Sequence, residues 1–98
     1  MSTPTRYKNM GDEDWQKFGG ALRWWANNEY RMMMEAQTVE EHAVAELGLH
    51  AAIDSLAKYF IVFENEKNNV LEVDEAILLA HNMVRREYAS DLDEKIKL

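Results

Sequence analysis

Apolar side chains recur every third or fourth position through most of this 98-residue chain, the period of an α-helical face rather than of a strand. Three stretches follow the pattern, over about 12–36, 38–65 and 74–91. In the first, Trp15, Phe18, Leu22, Trp25, Ala26, Met32 and Met33 fall on one side of a helical wheel, and that side is read as core. Asp12, Glu13 and Asp14 suit its start, where carboxylates meet the positive end of the helix dipole. Gly19-Gly20 is its weak point, costing about 1 kcal/mol per glycine against alanine. Either backbones pack closely there or the helix begins later.

The second stretch opens on a capping box, Thr38 with Glu41 three residues on. The hydroxyl is expected to take the Glu41 amide and the carboxylate to return to the Thr38 amide. Leu49, Ile53, Leu56, Phe60 and Phe63 form one apolar side; Val44, Leu47, Ala51 and Val62 form another. A helix apolar on more than one side is buried on more than one side. At ~1.5 Å per residue it is also roughly 42 Å long, too much for two companions to cover. Self-association is therefore expected. The short link at Gln37 makes the first two helices antiparallel neighbours.

Glu64 to Asn69 reads as a polar loop, and Asp74 as the cap of the third helix. Residues 70–73 fit a link or a first turn equally well, and the closing DLDEKIKL fits a helical extension or a frayed end. The expected fold is all-α: a polar tail at 1–11, then one domain at 12–98 of three helices on a long antiparallel hairpin, assembled as a homo-oligomer.

Composition narrows the function. A 47% apolar content supports a real core. The net charge of −7 is concentrated in residues 38–73, with seven acidic and two basic groups. General affinity for nucleic acid or anionic lipid needs a basic face and is not expected. With no cysteine there is no disulfide framework, thiol nucleophile or thiolate zinc site. No signal peptide is visible at the start, and runs such as Tyr59 to Phe63 are too short to span a bilayer. A cytoplasmic protein, free of the membrane, is expected.

Two sets of residues stand out. Trp24 falls off the core side of the first helix, near Lys17, Asn28 and Arg31, and Met34 extends an apolar patch there. Three readings are open. The indole covers the stems of its neighbours, or it anchors a protein interface, or it stacks a base with Arg31 and Lys17 near phosphates.

The second set is ionisable. Glu29 interrupts the first apolar stripe, and His42, Glu46, His50 and Asp54 run at four-residue intervals along the second helix. Folding about Gln37 puts Glu29 opposite about residue 45, near Glu46, with His42 and His50 a turn to either side. Carboxylates and imidazoles from facing helices are what a metal site in a bundle uses. A divalent metal at Glu29, His42, Glu46 and His50 is thus the candidate cofactor, although no Glu-x-x-His signature accompanies it. The alternatives are an exposed network of i, i+4 pairs, a polar oligomer seam or a ligand pocket.

Catalytic signals are lacking: no Gly-rich phosphate loop, no Gly-x-Ser-x-Gly elbow and no Ser/His/Asp arrangement around Ser2, Ser55 or Ser90. Glu72-x-x-Glu75 and Asp91-x-x-Glu94 resemble the paired acidic motifs of MazG-type all-α nucleotide pyrophosphohydrolases. That resemblance implies Mg²⁺ held between two antiparallel helices. Here both motifs lie along one expected helix, ~29 Å apart, so only an oligomer would assemble the site. The second motif also has Asp and Glu exchanged.

The expected function is a small non-enzymatic interaction module, an adaptor or inhibitor that occupies a partner protein, of the kind phages and mobile elements encode. A bundle binding a metal or a small anionic ligand such as a nucleotide is the alternative, and MazG-type hydrolysis the third.

Overall fold

The computed structural model describes residues 5–97. These form three helices, α1 (Asp12–Met34), α2 (Val39–Glu66) and α3 (Val73–Lys97), with a short 3-10 turn at Tyr7–Asn9 ahead of them. No strand occurs among the described residues, so the chain is all-α.

Local chemistry fixes each boundary. α1 starts at Asp12, with its three acidic residues in the first turn, and Glu35 caps its end. Thr38 caps α2 as expected, its hydroxyl accepting from the Glu41 amide at 3.1 Å. The returning carboxylate differs from expectation. Glu41 Oε2 takes the amide of Gln37 at 3.1 Å, one residue before the cap. α2 closes in a Schellman motif, with Asn69 N–H on the Glu64 carbonyl at 2.9 Å and Asn68 N–H on that of Asn65 at 3.0 Å. Asn68 supplies the left-handed residue this needs, at φ 63°. Asp74 is not the cap of α3. The helix already begins at Val73, which puts Asp74 in its first turn, and it continues to Lys97.

Residues early in α1 meet residues late in α2. The Trp15 and Tyr59 rings stack at 4.6 Å. Gly19 lies against the same tyrosine so closely that a Cβ there would overlap the ring. Only Gly19 of the pair serves close packing: it is buried, while nothing stands within 4 Å of a Cβ at Gly20. Leu22 and Ala26 of α1, Leu49, Ala52, Ile53 and Leu56 of α2, and Ala80 and Val84 of α3 form the central cluster. Small residues at 26, 52 and 80 let the three backbones approach while the larger chains fill the space between them. Met32 departs from the expected stripe. It is 49% exposed, because it lies about 100° around the helix from Met33, which does pack against this cluster.

The segment before α1 is pinned rather than trailing. Arg6 bonds Asp12 and Glu66, each at 2.7 Å, and its guanidinium lies 5.9 Å from the Trp15 ring centroid. Tyr7 stacks on Phe18 at 6.4 Å. Residues 1–4, part of the expected tail, lie outside the described residues. α2, at roughly 42 Å, is nearly as long as the 44 Å longest extent of the fold.

Candidate functional site

Trp24 stands on the outward side of α1 with 68% of its surface exposed. A helix places residues four and seven apart on one side, so Asn28 and Arg31 follow it along the same stripe. Arg31 Nη2 donates to Asn28 Oδ1 at 2.7 Å, which ties the guanidinium back to the preceding turn of the same stripe. The opposite wall comes from α3. Trp24, Asn27, Asn28 and Arg31 line a cleft of about 260 Å³ with Val84, Glu87, Tyr88 and Asp91.

The floor of this cleft is braced. Arg23 holds Glu87 through two parallel bonds of 3.0 Å, and Asn27 Nδ2 adds a third at 3.0 Å. Such a fork fixes both partners in direction as well as distance. The Tyr88 ring meets Tyr30 edge to face at 5.5 Å. Loss of solvent raises the Tyr88 pKa, and the neighbouring Glu35 carboxylate adds to the effect. Asn27 Oδ1 is buried and without a partner. Nothing in the sequence placed Glu87, Tyr88 or Asp91 opposite Trp24, because no short loop ties α3 to α1.

Of the other residues expected on this face, Lys17 lies two turns earlier and is tied to Glu13 at 3.1 Å. Met34 is 52% exposed but does not line the cleft. With Arg31 on one side and Glu87 and Asp91 on the other, the cleft carries both signs of charge. It is not a basic pocket for phosphate.

The ionisable line is a surface feature. His42, Glu46 and His50 side chains are 51%, 49% and 67% exposed. Glu46 lies between the two imidazoles, 3.5 Å from His42 Nδ1 and 3.7 Å from His50 Nε2. Glu29 takes a different position. Its carboxylate lies over Gly48, where an added Cβ would come within 2.5 Å of Oε2. The simple turn count put it opposite residue 45. Side chains lean toward the start of their own helix, and the start of α1 lies beside later residues of α2, so Glu29 lands farther along. Among the described residues, no group of three or more His, Asp or Glu side chains is arranged to hold a metal ion. Burial lowers the pKa of His81 on α3, and His50 and Arg85 push it the same way.

The acidic pair of motifs is settled by α3 itself. Glu75, Asp91 and Glu94 all lie on this one helix, with Glu72 just ahead of it, so one chain does not close them on a single ion.

Two further apolar surfaces lie outside this cleft, the second on the side of α2 from which self-association is expected. Phe60, Phe63, Leu71, Leu79 and Met83 line an apolar hollow of about 300 Å³, rimmed by Glu64 and Arg86. On α2, Val44 and Leu47 are 67% and 72% exposed. No helix among the described residues is long and apolar enough to cross a membrane.

Comparison of the chain with protein families, with curated proteins and with solved structures finds no match.

Proposed function

We propose that this chain is a small non-enzymatic interaction module, an adaptor or inhibitor that works by occupying a partner protein through the Trp24 face. The exposed indole carries the reading. A tryptophan left in water forgoes the burial of roughly 150–250 Å² that an aromatic side chain of this kind offers. Placed beside Arg31 over a braced cleft, it has the composition and the rigidity of an interface anchor. Opposed charges along the cleft, Arg31 facing Glu87 and Asp91, suit a protein surface of mixed polarity better than a nucleotide.

The module is read as a homo-oligomer built on an antiparallel α1–α2 hairpin. The contacts of Trp15 with Tyr59 and of Glu29 with Gly48 support the hairpin. Exposed Val44 and Leu47 support self-association. The cytoplasm is the proposed location, and a phage or mobile element the proposed source.

The test is affinity capture with wild-type and Trp24→Ala protein, followed by reconstitution of the captured partner from purified components. Trp24→Ala is expected to weaken that complex by at least about 30-fold, the scale of a hot-spot truncation, with helicity and melting temperature unchanged. Equal affinity of the two proteins, or affinity lost only together with helicity, would overturn the assignment.

The ligand-binding alternative rests on Glu46 between His42 and His50. Native mass spectrometry of protein purified without chelator measures it directly: a divalent metal retained by wild type and lost in Glu46→Gln would support it. Nucleotide hydrolysis requires the acidic motifs of different copies to meet.

A further inference from the structure

We infer that the exposed side of α2 is a self-association seam, on which a second copy of this chain docks its own α2 in the antiparallel direction. This rests on the self-association proposed above and names the surface and its register. Glu40, Val44, Leu47, Ala51, Asp54 and Lys58 follow one another at intervals of 4-3-4-3-4, the repeat of a coiled-coil seam. All six are exposed. Their helix turns its other side, Ala45, Leu49, Ala52, Ile53 and Leu56, to the core.

Charge selects the occupant and its direction. The seam is acidic at one end, at Glu40, and basic at the other, at Lys58. Among the described residues neither makes an ion pair, nor does Asp54. Two antiparallel copies centred on residue 49 place each Glu40 opposite the second copy's Lys58. The same register stacks Leu47 on Ala51 in the two central layers. Parallel copies would instead set Glu40 on Glu40, Asp54 on Asp54 and Lys58 on Lys58. The pattern is thus self-complementary in one direction only, as a two-fold interface requires.

One layer is imperfect. The register sets Asp54 opposite Val44, where a carboxylate loses water without gaining a partner. Removing it should therefore tighten the dimer, an effect that general damage to the protein would not produce.

The experiment is sedimentation equilibrium of the full chain over a concentration series, with circular dichroism to confirm that each variant is folded. Wild type is expected to dimerise. Leu47→Asp should weaken the dimer at least about tenfold by placing a charge in a central layer. Glu40→Lys or Lys58→Glu alone should each weaken it about 2- to 10-fold, because exposed ion pairs are modest and the two-fold axis repeats each layer. The double reversal should restore it, and Asp54→Ala should tighten it several-fold.

A monomer up to about 1 mM, the weak limit of specific association, would overturn the inference and leave the Trp24 assignment standing. A dimer indifferent to Leu47→Asp would also overturn it, while keeping self-association on another surface. A double reversal no stronger than the single ones would reject the antiparallel register. A dimer that behaves as stated, with no partner dependent on Trp24, would uphold the seam and remove the Trp24 reading.

Discussion

Helix α1 carries the same two residue types on opposite sides, and the two sides meet different surroundings. Trp15 and Gly19 are one turn apart on the inner side; Gly20 and Trp24 are one turn apart on the outer side. At about 100° per residue, Trp15 and Trp24 point half a turn away from each other. Trp15 is 4% exposed, enclosed by Arg6, Phe18 and Tyr59. Trp24 is 68% exposed. Gly19 leaves room for a ring, and Gly20 faces open space. Residue type alone therefore does not say what an aromatic or a glycine is for. Its angle on the helix, and what the partner helix puts there, decide whether it is packed into the core or left exposed.

Four substitutions test this contrast. Trp15→Ala should have the largest effect, a destabilisation of about 3–5 kcal/mol in urea unfolding. The value should fall toward the lower end, since the buried indole N–H has no partner to lose. Gly19→Ala should cost about 1–3 kcal/mol, because its Cβ must displace a Tyr59 ring that also stacks on Trp15 and Phe63. Gly20→Ala should act in the opposite direction and stabilise by about 0.5–1 kcal/mol, the ordinary gain of alanine in an open helix. Thermal melts of the two glycine variants, run side by side, give the sharpest reading of the contrast. If both lower the melting temperature equally, the outer side of α1 is packed and Trp24 is a structural residue. Trp24→Ala should have the smallest effect on stability, within about 0.5 kcal/mol.

Much of the local structure was legible in the sequence. Asp12 to Asp14, the Thr38 cap and the polar run after Glu64 mark element ends through short-range chemistry, and the helices start and stop close to those marks. The two-sided apolar pattern of α2 was also visible. Leu49, Ile53 and Leu56 went to the core, while Val44 and Leu47 stayed outside. What the chain order could not reveal are contacts made across it. Arg6 reaches Glu66 and Arg23 reaches Glu87, pairs 60 and 64 residues apart. α3 has no tight turn to α1 that would set their register, so the wall opposite Trp24 had no local signature. Met32 stays outside for a different reason: it sits at the edge of the apolar stripe, about 100° from Met33, which reaches the core. Four-residue spacing alone puts the ionisable line on one side of α2, yet its exposure depends on where the other two helices lie.

The carboxylate of Glu29 resting on the bare backbone of Gly48 ties two distant positions into a single choice of size. A longer side chain at one leaves room for none at the other. The two should therefore change together as such sequences diverge. Alanine or serine at position 48 is expected in company with a short residue at 29, and glutamate at 29 in company with glycine at 48. That correlated exchange would trace the α1–α2 packing through descent, in chains whose surfaces have otherwise been rewritten.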